Sequence, residues 1–282
     1  MAIPNLLTEA LATISQRLQA VGIVSFDAES EILLADFLGV SRGELTAMVL
    51  TGESRDLSQL EGLVRRREQR EPLQHITGKA PFRSVELQVG RGVFVPRFET
   101  EMVTQIGIDF LRSLPSAGRA VDVGTGSGAI AISLARETPA TVVAVEASED
   151  AAEFARRNIE TLAPSVELIV GDFAAELPKQ ESLDLVISNP PYIPANAVPI
   201  DPEVRDHDPE LALYSGEDGL NAIRELAVVA QVPLRSGGLL VIEHADGQSD
   251  DVRELLLSEG WRSVSVHPDN TGRLRAVSAL RK

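Results

Sequence analysis

Two short segments of this 282-residue chain hold residue types that could do chemistry together. The first is Leu183-Asp184-Leu185-Val186-Ile187-Ser188-Asn189-Pro190-Pro191-Tyr192, an apolar run ending in Asn-Pro-Pro-Tyr. Two successive prolines stiffen a loop and supply no N–H, so the carbonyls around them stand as fixed acceptors. A planar NH2 group could give one hydrogen to the Asn189 side-chain oxygen and the other to the Pro190 carbonyl. Tyr192 would offer a flat surface against the group that bears the nitrogen. Such a nucleophile is weak because its lone pair is delocalised. Positioning and hydrogen bonding favour the state in which it turns tetrahedral and positive, and no strong base is needed before attack. Asn189, Pro190, Pro191 and Tyr192 are therefore the candidate catalytic residues. The competing reading is a proline-rich turn with a surface tyrosine.

The second segment is Val121-Asp122-Val123-Gly124-Thr125-Gly126-Ser127-Gly128-Ala129-Ile130-Ala131. A buried strand runs into three alternating glycines and opens a helix. Glycine permits tight turning and close backbone approach to a ligand, and a helix N-terminus adds free N–H groups and partial positive charge. The next apolar run, Val142–Val145, ends in Glu146, whose carboxylate could accept from both ribose hydroxyls of a nucleoside cofactor. Gly124 through Gly128 (with Thr125, Gly126 and Ser127 between them), Glu146, Asp172 and Phe173 form the candidate cofactor set. Asp172 could accept from an adenine amino group and Phe173 could stack on the ring. An ordinary turn at the end of a strand explains those two as well. The glycine loop alone fits NAD as readily as S-adenosylmethionine.

These segments need a scaffold. Residues 5–21 carry apolar side chains at helical spacing. Asp27 can cap a second helix that stops at Gly39. Ser41-Arg42-Gly43-Glu44 reads as a capping box for a third, and a fourth spans about 56–70 with Arg65, Arg66 and Arg67 as a solvated last turn. Residues 1–75 thus read as a helical bundle. Val85, Leu87 and Val89 alternate before Gly90-Arg91-Gly92 and Val93-Phe94-Val95, which suggests a β-hairpin linker over 76–98. From 99 to 282 strands alternate with helices. Strands are expected at Arg119–Val123, Thr141–Glu146, Val166–Val170, Leu183–Ser188, Gly238–Glu243, Arg262–His267 and Arg273–Leu280, with helices near 100–112, 128–137, 148–161, 217–232 and 247–259. That pattern predicts an α/β, mostly parallel, doubly wound sheet with an antiparallel edge hairpin.

Asn-Pro-Pro-Tyr together with Asp-x-Gly-x-Gly-x-Gly resembles the S-adenosylmethionine-dependent methyltransferases that act on planar nitrogens. More narrowly, the chain is similar to the bacterial peptide chain release factor glutamine methyltransferases, the HemK-type family. The likeness runs nearly end to end. It includes Pro72-Leu73-Gln74-His75-Ile76-Thr77-Gly78, Phe94-Val95-Pro96-Arg97, Glu99-Thr100-Glu101, Asp208-Pro209-Glu210-Leu211-Ala212-Leu213, Gly216-x-Asp218-Gly219-Leu220, Gly237–His244 and Asp269-x-x-Gly272-Arg273-x-Arg275. The resemblance implies a Rossmann-like, seven-stranded methyltransferase domain behind a substrate-docking helical domain. It also implies S-adenosylmethionine as cofactor, with Asn189 joining Gly124 through Gly128, Glu146 and Phe173 at cofactor positions, and the glutamine of the release factor Gly-Gly-Gln loop as methyl acceptor. Phe98 stands where the family usually has proline, Glu146 where aspartate is commoner, and Asp208 where glutamate is usual.

Composition narrows the partners. The chain has no cysteine, which excludes disulfides, thiolate metal sites and a cysteine nucleophile, and its formal charge is −16. No metal role falls to the scattered His75, His207, His244 and His267. Residues 96–282 hold 30 of the 42 acidic residues, and Asp201, Glu203, Asp206, Asp208 and Glu210 crowd behind Tyr192. A nucleic-acid amino-methyltransferase, which could share Asn-Pro-Pro-Tyr, would need a basic face there, so no direct nucleic-acid binding is expected. That acidic segment is instead expected to face basic residues of a release factor. An enzyme for a ribosomal-protein glutamine is separated less well, and an idle binding module would need neither complete motif. Glu9 interrupts the first apolar stretch, and no run approaches the ~20 apolar residues of a membrane span. A cytoplasmic protein without membrane partners is the expectation.

Overall fold

A computed structural model describes residues 3–282. In chain order the elements are α1 (Leu7–Ala20), α2 (Phe26–Leu38), α3 (Arg42–Leu50), α4 (Leu60–Glu68), α5 (Leu73–Thr77), β1 (Lys79–Phe82), β2 (Val85–Gln88) and α6 (Phe98–Ser113). Then come β3 (Arg119–Val123), α7 (Ala129–Glu137), β4 (Thr141–Glu146), α8 (Glu149–Leu162), β5 (Glu167–Val170), α9 (Phe173–Glu176) and β6 (Leu183–Ser188). The chain finishes with α10 (Pro202–His207), a 3-10 turn at Glu210–Ala212, α11 (Asn221–Val229), β7 (Leu234–Glu243), α12 (Ser249–Ser258), β8 (Arg262–Pro268) and β9 (Leu274–Leu280). Among the described residues no helix is long and apolar enough to cross a membrane.

Two compact units result. The first runs to Gly78 and takes in the distant segment Pro199–His207; the second comprises Lys79–Val198 and Asp208–Lys282. The helical unit thus reaches past residue 75 and recruits α10 from a stretch that the sequence pattern assigns to the catalytic domain. The reason is a buried ion cluster. Arg67 pairs with Glu29 at 2.5 Å and with Glu203 at 2.8 Å, and Arg70 pairs with Glu203 at 2.7 Å. Arg67 is therefore no solvated end of a helix, because only 5% of its side chain is exposed. Arg66 likewise pairs with Glu71. The apolar core of the unit is built on Leu7, Ile14, Leu18, Leu33, Leu34, Leu45, Leu60 and Val64. The capping box forms as expected, with Glu44 N–H donating to Ser41 Oγ and Ser41 N–H donating to Glu44 Oε2. Asp27 caps nothing: it lies inside α2, whose N-cap is Ser25.

The second unit is a seven-stranded sheet ordered β5-β4-β3-β6-β7-β9-β8. All neighbours are parallel except β9, which runs antiparallel to both β7 and β8. The apolar runs of β3, β6 and β7 suit strands covered on both faces. One face packs against α6, α7 and α8 through residues such as Val103, Ile108, Ile132, Leu134 and Ala155, and the other against α11 and α12 through Ile223, Leu226, Val252 and Leu256. The antiparallel hairpin is real but lies earlier than the sequence suggests. β1 pairs with β2 around Arg83 and Ser84, while residues 93–95 form no strand. Nor is it a free-standing linker over 76–98, since Phe82, Val85, Leu87, Val93 and Val95 are buried in the core of this unit.

Candidate active site

β3 is the strand at which chain order reverses: β4 lies on one side of it and β6 on the other. The loops leaving the carboxyl ends of β3 and β6 therefore part there, and open α/β sheets bind ligands in such a crevice. Those two loops are the glycine loop and Asn-Pro-Pro-Tyr.

The glycine loop has the geometry its composition demands. Gly124, Gly126 and Gly128 have φ of +69°, +59° and +88°, a region costly for residues with a side chain. At Gly124 and Gly126 an added Cβ would meet nothing within 4 Å, so the loop presents open space in front of bare backbone. At Gly128 the same atom would lie 3.0 Å from Ile132 Cδ1, so this third glycine serves the packing of α7. Gly124 N–H and Thr125 N–H both donate to the Val145 carbonyl at the end of β4. Asn158 of α8 donates to the Ser127 carbonyl at 2.9 Å while exchanging hydrogen bonds with Gln88 of β2. Beneath the loop, Asp122 is wholly buried. Its Oδ2 accepts from the Thr125 hydroxyl at 2.6 Å and from Ala131 N–H at 3.1 Å. Burial pushes its carboxyl up to about 7 despite those two bonds.

Glu146 closes β4 with its carboxylate turned back over the loop. Oε2 accepts from Gly126 N–H at 2.8 Å and Oε1 accepts from Ser148 N–H at 2.9 Å, and the residue is only 8% exposed. Each carboxylate oxygen can accept more than once, so Glu146 can hold the loop and still meet hydroxyl donors. Beyond β5, Asp172 is exposed and acts as N-cap of α9, accepting from Ala174 N–H at 2.9 Å. Part of its acceptor capacity is thus spent on the turn itself. Phe173 is half-buried against the α11–α12 face of the sheet.

At the end of β6, Ser188 donates to the Val123 carbonyl at 2.7 Å and so ties the two loops together at their roots. Asn189 Nδ2 donates to Thr100 Oγ1 at 3.1 Å, which leaves the side-chain oxygen as the end of the amide not engaged by Thr100. Pro190 is buried, and Pro191 and Tyr192 are half-buried. Burial pushes the Tyr192 phenol up, with the nearby Glu243 charge adding to it, so the ring keeps its proton as a donor. The loop is braced by the segment after α10. Ile193 N–H donates to the Leu213 carbonyl, Ser215 N–H to the Ile193 carbonyl, and Ala195 N–H to the Gly216 carbonyl. Gly219, at φ +81°, fits so closely that an added Cβ would lie 2.3 Å from the Tyr192 carbonyl oxygen.

Thr100 and Glu243 fall in segments that carry the family likeness, yet the sequence assigns neither a role. Thr100 comes from the first turn of α6 and is buried. Glu243, the last residue of β7, is wholly buried beside Tyr192 and Thr100. A carboxylate ending an apolar strand, as Glu146 does, is the local signal that could have marked it. Phe98 is the first residue of α6 and is 73% exposed. Proline suits that position of a helix but is not needed to start it. The acidic segment behind Tyr192 is not a free rim. Glu203 is sequestered by Arg67 and Arg70, Asp206 is paired with Arg205, and the Asp208 side chain, with no exposed surface, is paired with Arg97 at 2.8 Å.

With that geometry in view, comparison with known proteins is direct. A family described as "Methyltransferase small domain" matches residues 87–201, and one described as "PrmC N-terminal domain" matches residues 9–78. The "Release factor glutamine methyltransferase" of Streptomyces coelicolor is 48% identical over 280 residues, covering 98% of both chains. That of Mycolicibacterium smegmatis is 41% identical over 280 residues, again covering 98% of both. Among solved structures, a ribosomal protein L11 methylase from Lactobacillus delbrueckii subsp. bulgaricus superposes with a TM-score of 0.50 at 18% identity, covering 70% of this chain and 84% of that one. That last likeness speaks for the fold alone.

Proposed function

The chain belongs to the release factor glutamine methyltransferases, and we propose that it methylates the side-chain amide nitrogen of the glutamine in the Gly-Gly-Gln loop of a peptide chain release factor. S-adenosylmethionine, when bound, supplies the methyl group as an electrophile on its sulfonium centre. The residues present fit that cofactor. Gly124 and Gly126 leave backbone and open space, the N-terminus of α7 stands behind them, and Glu146 offers a buried carboxylate to ribose hydroxyls. Asp172 and Phe173 lie at the next strand end along the sheet, where an adenine would be met.

The observation that carries the reading is the tether from Asn189 Nδ2 to Thr100 Oγ1. With the amide held at its nitrogen end, Asn189 Oδ1 is the acceptor for one hydrogen of the substrate NH2, and the Pro190 carbonyl takes the other. Both acceptors strengthen as positive charge grows on the nitrogen, so they favour the transition state over the ground state. Tyr192 supplies a flat surface for the group that bears the nitrogen. None of these groups needs to act as a base before attack.

The helical unit is the docking surface in this reading, because a small neutral amide offers little binding energy of its own. The acidic segment contributes less than its charge suggests, since Glu203 and Asp208 are already paired. A nucleic-acid substrate fits poorly with a chain of formal charge −16, and the work of the enzyme belongs in the cytoplasm. Two measurements test the reading. Calorimetry should register S-adenosylmethionine binding and none for NAD. Labelled methyl should pass to an intact release factor but not to one whose loop glutamine is replaced by glutamate. Label on the glutamate variant, or tight NAD binding, would overturn it.

A further inference from the structure

One side-chain amide joins three loops beside the site, and the mechanism above gives it no task. Gln248 stands between β7 and α12, at the N-cap of α12. Its side chain makes no capping bond to its own helix, a place where serine, threonine or aspartate serves better. It reaches away instead. Oε1 accepts from Ala245 N–H at 2.9 Å, while Nε2 donates to the Tyr192 carbonyl at 3.1 Å and to the Asp218 carbonyl at 3.3 Å. All three partners are backbone groups of fixed role, an N–H that only donates and two carbonyls that only accept. Elsewhere an amide can turn over, exchanging its nitrogen for its oxygen. Here the turned form would set oxygen against two carbonyls and NH2 against an N–H, so the backbone itself decides the orientation. Gly219 makes the meeting possible, because an added Cβ would lie 2.3 Å from the Tyr192 oxygen and 2.9 Å from Gln248 Nε2.

The bond to Tyr192 falls where the reaction loop leaves the site. The peptide unit between Tyr192 and Ile193 is held by both of its polar atoms, the carbonyl by Gln248 and the Ile193 N–H by the Leu213 carbonyl at 2.8 Å. At the other end of the loop, Ser188 donates to the Val123 carbonyl at 2.7 Å. Between these anchors stand Asn189, Pro190 and Pro191, and each proline fixes its own φ. With two of the few soft torsions locked, a shift at Tyr192 carries back to the Pro190 carbonyl. Without the Gln248 amide, the Tyr192 peptide unit is held on one edge only and can tilt about it. Ala245, Tyr192 and Gln248 are half-buried and Asp218 is exposed. Water can therefore replace the lost bonds at little cost in stability, but it does not restore their direction.

We propose that Gln248 is a positioning residue of the methyl transfer, fixing the exit of the reaction loop and, through the two prolines, the place of the Pro190 carbonyl and the Tyr192 ring. This rests on the reading of Asn189 and Pro190 as acceptors for the substrate amide. The test uses the full-length chain with a release factor as substrate. Variants Q248A, Q248E and D250A are compared with wild type in kcat, KM, S-adenosylmethionine affinity and Tm, and hydrogen exchange is followed at the amides of Ile193 and Thr125. Q248E keeps the size of the side chain and an oxygen for Ala245 N–H, but its second oxygen meets two carbonyls with no proton to give. D250A removes an exposed acid from the first turn of the same helix and leaves the Gln248 amide in place. In both Gln248 variants kcat should fall about 10- to 100-fold, as misplaced reacting groups make it do, with Q248E at least as slow as Q248A. KM and S-adenosylmethionine affinity should stay within about threefold of wild type, because the acceptors act mainly in the transition state. Tm should change little in Q248A, and D250A should turn over at the wild-type rate. Exchange at Ile193 should quicken about 10-fold or more, while Thr125, bonded to the Val145 carbonyl under the glycine loop, keeps its wild-type rate.

Wild-type kcat in the Gln248 variants, or unchanged exchange at Ile193, would overturn the inference. So would an equal loss of kcat in D250A, or a fall in S-adenosylmethionine affinity as large as the fall in kcat, since either would trace the loss to a loosened domain rather than to the loop. Should Q248E fail to fold, the contrast between Q248A and D250A decides on the same terms. A wild-type chain that transfers no methyl to the release factor would overturn the reading of the site itself, and this inference with it.

Discussion

Replacing Glu146 separates two jobs that the structure gives to one carboxylate. A bare ribose ligand would cost only cofactor affinity when removed. Here, however, Glu146 also accepts from Gly126 N–H at 2.8 Å and from Ser148 N–H at 2.9 Å. Hydrogen bonds to an ionised acceptor contribute ~1.5–3 kcal/mol each, and water entering the space left by Glu146→Ala replaces part of that. The protein-internal loss is therefore about 2 kcal/mol, which lowers Tm by roughly 4–8 °C in a domain of this size. The ribose contacts add a loss of ~10- to 150-fold in S-adenosylmethionine affinity. Glu146→Gln is the sharper probe. Its oxygen can serve one N–H, but its NH2 must then face the other donor, so most of the stability loss should persist. Glu146→Asp keeps the charge, but with a shorter reach it can satisfy Gly126 or Ser148 and not both. Calorimetry for affinity and thermal unfolding without cofactor read the two losses apart. An unchanged Kd in Glu146→Ala would put the ribose elsewhere, and an unchanged Tm would show that the carboxylate does not hold the loop.

Asn189→Ala should lower turnover ~10²-fold while Tm changes little, because an orienting contact weighs far more on rate than on stability; a variant keeping a third of wild-type kcat in an assay saturated with both substrates would contradict its role. Gly219→Ala places a Cβ 2.3 Å from the Tyr192 carbonyl, so it should shift the reaction loop, reducing kcat and Tm together; a normal kcat would mean that the brace is dispensable. Glu203→Gln strips Arg70 of its carboxylate and Arg67 of one of two. The cost should be ~2–3 kcal/mol, less than the ~3–5 kcal/mol of a fully buried broken pair. Burial works upward on Glu203, yet Arg70, Asp201 and Arg67 hold its carboxyl well below the usual range. Its stabilisation is present above the unfolded pKa near 4 and lost as pH falls below that value, so Glu203→Gln should flatten the acid limb of a denaturation series. Asp122 and Glu243 act with the opposite sign. Burial raises both to about 7, so the folded state holds protons that the unfolded chain releases near pH 4, and stability contributed by these two falls as pH climbs from about 4 to about 7. Replacing each with its amide should remove its share of that slope in urea titrations at stepped pH.

What could be read from the sequence was whatever depends on neighbours in the chain. The alternating glycines, the double proline and the apolar strands are local, and the β3, β4 and β6 boundaries coincide with those the pattern predicts. The hairpin was misplaced because glycine is not what turns it. Arg83 adopts φ +50° at the turn, held by Glu137 at 2.6 Å and by Glu101, residues far along the chain. Gly90 and Gly92, which looked like the turn, instead admit Phe154 and Asp150 against the backbone. Arg67 read as solvated because its partners, Glu29 and Glu203, come from other parts of the chain. The same long-range pairing turned a run of acids into part of an ion cluster. The positions of Asn189 and Glu146 at the ends of β6 and β4 were legible in the sequence, whereas the Thr100 tether is not, because nothing local in α6 says which strand its first turn will meet.

The most direct measurement is residue-level mass spectrometry of a release factor after incubation with the enzyme and isotopically labelled S-adenosylmethionine. The account predicts one labelled methyl on the side-chain nitrogen of the loop glutamine, with wild-type enzyme and not with Asn189→Ala. Label on another residue, or equal labelling by Asn189→Ala, would contradict it.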